Sequence, residues 1–213
     1  MSGTEDEQLT ELKDWWQRNG KPLVTGGLLA LVVVFGWQAW HRYQTNQAQS
    51  ASNVYQQLLE TTLNPSGKPD TAKVVDLSNK LKTDFAGTAY AQYASLFVAK
   101  VAVDNGKLDD AASELRAVVD KPFNPTLGEV ARQRLAQVLG AQNKAADGLK
   151  LLDGDVDKSF VAAREELRGD LLVQLGRGDE AFAAYQKAKA ALSDDAAVGG
   201  LQIKLDDLAK GDA

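Results

Sequence analysis

Few residues in this chain could do chemistry by type and spacing. His41 is the single histidine, and there is no cysteine. Nucleophilic relays of the Ser-His or Cys-His kind and the usual zinc sites need several such groups held together. His41 instead abuts an apolar run and reads as an interfacial residue. Asp153-Gly154-Asp155-Val156-Asp157 spells the first acidic positions of a calcium loop. Such a loop next needs a glycine and ends in a bidentate glutamate. Here those positions hold Lys158 and Arg164, so the segment reads as a solvated turn. Arg177-Gly178-Asp179 spells an adhesion tripeptide but falls inside a helical-hairpin turn. No phosphate-cradling glycine loop occurs. The chain reads as a non-enzyme, with no catalytic residue, cofactor, metal or small-molecule substrate.

The elements around these positions are more informative. Residues 23–40, LVTGGLLALVVVFGWQAW, are uncharged and long enough for one helical crossing of a bilayer. Trp15 and Trp16 precede the run, and Trp37 and Trp40 close it. Both pairs suit interfacial belts, where amphipathic rings sit at headgroup level. Lys13, Arg18 and Lys21 flank the run on one side and only Arg42 on the other. That bias places residues 1–22 in the cytoplasm and the domain on the other side of the membrane. Leu9, Leu12 and Trp15/Trp16 suggest that the tail forms a short amphipathic helix on the inner face. Gly26 and Ala30 give a small-xxx-small packing face. The alternative is a cleaved secretion signal, with Ala48-Gln49-Ser50 as the cleavage site, releasing a soluble periplasmic carrier or assembly factor.

Beyond residue 50 the chain carries 20 basic and 24 acidic residues, and the whole has a net charge of −5. This is no nucleic-acid footprint. Residues 41–69 read as a helix continuing the span, ended by Asn64-Pro65-Ser66-Gly67-Lys68-Pro69. Residues 70–213 read as short amphipathic helices: about 70–83, one marked by Tyr90 to Ala102, Leu108 to Val119, one ending near Gly140, and about 144–152, 159–175, 178–192 and 196–209. No strand alternation appears, so the fold class is all-α.

A repeat runs through this domain. Ala99, Ala102, Gly106, Ala111, Leu115 and Val118 recur as Gly169, Leu172, Gly176, Ala181, Tyr185 and Ala188. A fainter middle copy is Ala136, Leu139, Asn143, Gly148 and Leu152. Small residues recur where paired helices approach, and a glycine permits the turn between them. The pattern resembles the tetratricopeptide repeat. The repeat tryptophan is missing, Arg168 stands at an apolar position, and the middle copy lacks its turn glycine. Projecting the repeat puts Tyr93, Lys100, Gln133, Gln137, Glu166 and Asp170 on the partner-binding concave face. They do not reproduce the carboxylate clamp of some tetratricopeptide co-chaperones.

The acidic tail with WWQRNGK, the span, the polar helix, DFAGTAYA (Asp84 to Ala91) and the degenerate hairpins together resemble the YfgM family, ancillary subunits of the bacterial SecYEG translocon. The resemblance covers essentially the whole chain. It implies a single-pass inner-membrane scaffold linking protein export to periplasmic chaperones through protein–protein contacts. The partners it implies are the SecYEG translocon and a membrane-anchored periplasmic prolyl-isomerase chaperone.

Overall fold

A computed structural model describes residues 3–63, 70–192 and 199–209, with side chains of the first stretch from Leu9 to Thr62. The breaker cluster 64–69 and the start of the last helix, 196–198, lie outside these residues. Nine α-helices and no strand occur among the described residues: α1 Gly3–Leu63, α2 Thr71–Asp84, α3 Ala89–Asp104, α4 Leu108–Asp120, α5 Pro125–Ala141, α6 Ala145–Leu151, α7 Lys158–Gln174, α8 Gly178–Ala190 and α9 Gly199–Ala209. The expected helices are all present, most within two residues of their expected bounds.

The chain divides into two compact units, residues 1–50 and 51–213, with the boundary inside α1. The first unit is helical from Gly3 onward. One expectation fails here: the tail is no separate amphipathic helix but the first turns of α1. Pro22 lies inside that helix. Proline removes one backbone donor, yet the helix runs on through it. The apolar stretch is exposed along its length, Leu28, Val32, Val33 and Trp37 included, and α1 is apolar and long enough to cross a membrane. Its one hydroxyl, on Thr25, donates to the Lys21 carbonyl at 2.8 Å, so it carries no unmet donor into that stretch. Trp16 lies over Gly20, where an added Cβ would meet the indole at 3.1 Å. Gly26 has nothing within 4 Å of its Cβ position and leaves an open face.

In the second unit the helices form successive antiparallel hairpins around three clusters. Ala51, Val54 and Leu58 of α1 meet Val74, Leu77 and Leu81 of α2 and Ala94 of α3. Leu96, Ala99 and Ala102 of α3 meet Ala111, Leu115 and Val118 of α4 and Leu127, Ala131 and Leu135 of α5. The third cluster joins Ala136, Leu149, Leu152, Leu167, Leu171, Ala181, Tyr185 and Ala188 to Leu201 and Leu205 of α9. Asp70 caps α2 by accepting from the Ala72 and Lys73 amides, and Asn124 caps α5, with Pro125 at its first position.

The three repeat turns share one hydrogen-bond pattern. Gly106, Asn143 and Gly176 lie at φ 72°, 61° and 71°. The following amide returns to the carbonyl five residues back each time: Lys107 to Ala102, Lys144 to Leu139 and Arg177 to Leu172. The turn residue's own amide reaches Val103, Gly140 or Val173. This is the Schellman ending, which needs a left-handed residue. Asn143 fills it where the other copies have glycine, because asparagine tolerates that region. The missing glycine of the middle copy is therefore no break in the repeat.

Close approach explains the small residues. A Cβ on Gly169 would fall 2.2 Å from Tyr185 Cε1, and one on Gly148 would fall 2.9 Å from the Ala136 carbonyl oxygen. Ala181 is fully buried in the same hairpin.

Candidate functional site

The repeat register aligns Lys100 of α3 with Gln137 of α5 and Asp170 of α7. It aligns Leu96 with Gln133 and Glu166. The structure gives these positions different environments.

At the α3 end, Tyr93 is exposed and its ring lies 5.8 Å from Tyr55 and 6.0 Å from Tyr90. Tyr55 and Tyr90 are themselves 5.6 Å apart, so three tyrosines form one cluster, at spacings typical of favourable aromatic pairs. Burial and the neighbouring Tyr93 raise the Tyr55 hydroxyl pKa, while Arg134 of α5 pulls it the other way. Gln92, the next residue on α3, accepts from the Phe123 amide at 2.7 Å and donates to the Lys121 carbonyl at 2.7 Å. That pair of bonds ties the α4–α5 connection to α3 and leaves the Phe123 side chain exposed.

Lys100 and Gln137 come together. Both line a groove of about 400 Å³ between α3, α4 and α5, with Leu96, Ala99, Val103, Leu108, Leu115, Arg134, Val138 and Ala141. Its floor is apolar and its rim carries two cations. Lys100 pairs with Asp104 on its own helix at 2.5 Å, and both side chains are more than half exposed. Arg134 is exposed, and no described carboxylate pairs with it.

Gln133 is turned to a different task. Its amide donates to Glu129 at 2.9 Å, and it is half-buried. Glu129 belongs to a buried bridge that the sequence pattern did not reveal. Arg164 of α7, 2 % exposed, donates from Nε and Nη2 to the two Glu129 carboxylate oxygens at 2.9 and 2.7 Å. Its Nη1 donates to the Gly154 carbonyl at 2.8 Å and to the Leu152 carbonyl at 3.4 Å. The guanidinium thus holds the start of the α6–α7 connection, at Leu152 and Gly154. Arg168 bonds the Leu152 carbonyl and Asp153. The arginine at the apolar repeat position therefore satisfies the end of α6. Asp157 caps α7 through the Ser159 amide at 2.9 Å. Burial alone would raise the Glu129 pKa, but hydrogen bonds from Arg164 and Gln133 and the charges of Arg164 and Arg132 outweigh it and hold it below the ordinary value.

Glu166 and Asp170 are held from within the chain. Lys204 of α9 donates to Glu166 at 2.8 Å and to Asp170 at 2.7 Å, and the Tyr185 hydroxyl donates to Asp170 at 2.8 Å. Burial works against the Lys204 charge, yet the two carboxylates raise its pKa. Burial and the bond to Asp170 push the Tyr185 hydroxyl far above its ordinary value. Of the six expected surface residues, Tyr93, Lys100 and Gln137 lie at an open face, Gln133 serves a buried bridge, and Glu166 and Asp170 are half-buried and paired with Lys204 of α9. Arg134, which projection of the repeat missed, is the unpaired cation of the open part. It lies three residues before Gln137 on α5, a helical spacing by which the sequence could have found it.

On α1 the four tryptophans are each at least half exposed, and Ala30 lies one turn from Gly26 on the open small-residue face.

A family model described as a tetratricopeptide repeat-like domain matches residues 13–210. A protein named ancillary SecYEG translocon subunit from Escherichia coli (strain K12) is 29% identical over 204 residues, covering 96% of both chains. Its namesake from Aggregatibacter actinomycetemcomitans is 30% identical over 190 residues, covering 87% of this chain and 88% of its own. Another, from Neisseria gonorrhoeae (strain ATCC 700825 / FA 1090), is 29% identical over 206 residues, covering 96% of this chain and 97% of its own.

Proposed function

The chain belongs to the tetratricopeptide repeat-like family of ancillary SecYEG translocon subunits, and on that premise we propose that it is a single-pass scaffold at the translocon. In this reading α1 anchors it in the inner membrane, with residues 1–22 in the cytoplasm, residues 23–40 as the span and the repeat domain in the periplasm. The domain holds a membrane-anchored prolyl-isomerase chaperone where exported chains emerge. Confinement to the membrane surface raises the local concentration of one partner for the other. The work is done by contact and not by catalysis. Gly26 and Ala30 offer the span a packing face for a membrane partner, and Trp15, Trp16, Trp37 and Trp40 set its depth.

The observation that carries this reading is the likeness to named translocon subunits along almost the entire chain, apolar helix included. The open face at Tyr93, Lys100 and Gln137 supports a protein contact in the domain. The test is affinity purification of the full-length chain from membranes in mild detergent, at native expression, with detection of translocon subunits and of the prolyl isomerase. Both are expected. Recovery of neither would overturn the proposal.

A further inference from the structure

The groove between α3 and α5 differs from the rest of the α3–α5–α7 face in one respect: among the described residues, no carboxylate answers the charge of Arg134. At α7 the two carboxylates are met by Lys204. Between α5 and α7 the buried charges are met by each other. In the groove, Arg134 stands exposed above an apolar floor with no described carboxylate to pair with, and Lys100 is tied only to exposed Asp104. An exposed pair of that kind contributes little, so a ligand carboxylate can replace Asp104 at little cost.

The groove is also elongated. Leu96 to Val103 spans about 10 Å of α3 at roughly 1.5 Å per residue, and the tyrosine cluster extends the surface to Tyr90, about 20 Å in all. Buried Leu96, Ala99, Leu115 and Val138 form the floor, while Val103, Lys100, Arg134, Gln137 and Ala141 form the rim. Small alanines on the floor and rim leave room for inserted side chains. A narrow apolar channel with cations along its edge fits a polypeptide segment better than a compact small molecule.

We propose that this groove binds an acidic amphipathic segment of a partner protein, with aliphatic side chains seated on Leu96, Ala99, Leu115 and Val138 and a flanking carboxylate paired with Arg134. Lys100 supplies the second, exchangeable cation, and the Tyr55–Tyr90–Tyr93 cluster carries the continuation of the segment. The inference rests on the scaffold reading and gives its soluble contact a chemistry. The segment is internal, since no clamp for a terminal carboxylate surrounds Arg134.

The test uses the full-length chain in phospholipid nanodiscs and three fluorescent twelve-residue peptides, acetylated and amidated at their ends. One carries leucines at helical spacing flanked by glutamates, the second has lysine for glutamate, and the third serine for leucine. Fluorescence anisotropy should show the acidic leucine peptide binding at least about fivefold tighter than either twin, the scale of one or two exposed charge contacts. Arg134→Glu should reverse the preference between the acidic and basic peptides, and Arg134→Gln should abolish it. Equal binding of acidic and basic peptides, no binding of the acidic one, or an unchanged preference in both variants would overturn the proposal. Translocon recovery with Arg134→Glu is read separately. If it persists while peptide selectivity is absent, the groove assignment fails and the scaffold reading stands. If wild-type protein recovers no partner, the scaffold reading itself fails.

Discussion

Replacing Arg164 by Met leaves the Glu129 carboxylate 5 % exposed with its main partner gone. Gln133 and a 3.3 Å contact with Arg132 remain. Breaking one side of a buried, bidentate ion pair costs about 3–5 kcal/mol, most of it the penalty of stranding the other charge. Two carbonyl acceptors, on Leu152 and Gly154, also lose a donor. For a chain of this size about 1 kcal/mol moves the midpoint by roughly 2–4 °C, so Arg164→Met should lower it by at least ~6 °C. The double variant Glu129→Leu/Arg164→Met removes both charges. Its remaining loss is the carbonyl bonds, about 1 kcal/mol each, so it should be more stable than Arg164→Met alone. Thermal unfolding followed by circular dichroism at 222 nm, on the full-length chain in detergent, measures all three. If Arg164→Met melts within ~2 °C of wild type, or the double variant melts no higher than Arg164→Met alone, the bridge is not the brace described here. The functional stake is geometric, because the bridge ties α5 to α7 and holds the α6–α7 connection.

The same pair sets a pH response. The Glu129 pKa is depressed in the folded state, so its contribution is fully present above the unfolded value of about 4.3 and is lost as pH falls through the folded value; Glu129→Gln should flatten the acid limb of a melting-temperature profile below about pH 5. Gly169→Ala drives a Cβ into Tyr185 and Ala181→Leu overfills the same hairpin, so each should cost about 1–3 kcal/mol, against at most about 0.5 kcal/mol for exposed Lys187→Ala, all read by the same melts. A reporter active only in the periplasm should work when fused after Ala213 and fail when fused before Thr4; the opposite pattern would refute the orientation. The mature protein should keep a mass near 22.9 kDa and stay in membranes through alkaline carbonate washing, whereas a shorter, soluble product would mean cleavage.

The hairpins were legible because helix approach and turn geometry act locally. Alanine or glycine at a crossing, and a left-handed residue after a helix, leave marks at fixed spacing. Asn143 shows the limit of the glycine rule, since backbone conformation and not residue type defines that turn. The Glu129–Arg164 bridge was not legible. Its members lie 35 residues apart, and each looks like an ordinary polar position on an amphipathic helix. Lys204 likewise reaches Glu166 and Asp170 from 38 and 34 residues away. Repeat projection names the residues that share a face but not which neighbour pairs with them, so Glu166 and Asp170 joined Tyr93, Lys100 and Gln137 in one set with no sign of Lys204. The spacing of Leu9, Leu12 and Trp15/Trp16 suggests a short helix in the tail, whereas the backbone continues unbroken through Pro22.

The most direct measurement of the scaffold account is photo-crosslinking in living cells from the full-length chain, with a photoreactive phenylalanine analogue placed at Ala30 in α1 or at Tyr93 in the repeat domain, and mass spectrometry of the adducts. The account predicts translocon subunits from Ala30 and the prolyl-isomerase chaperone from Tyr93, both in membrane fractions. Adducts with neither, or a chaperone adduct from Ala30 and none from Tyr93, would contradict it.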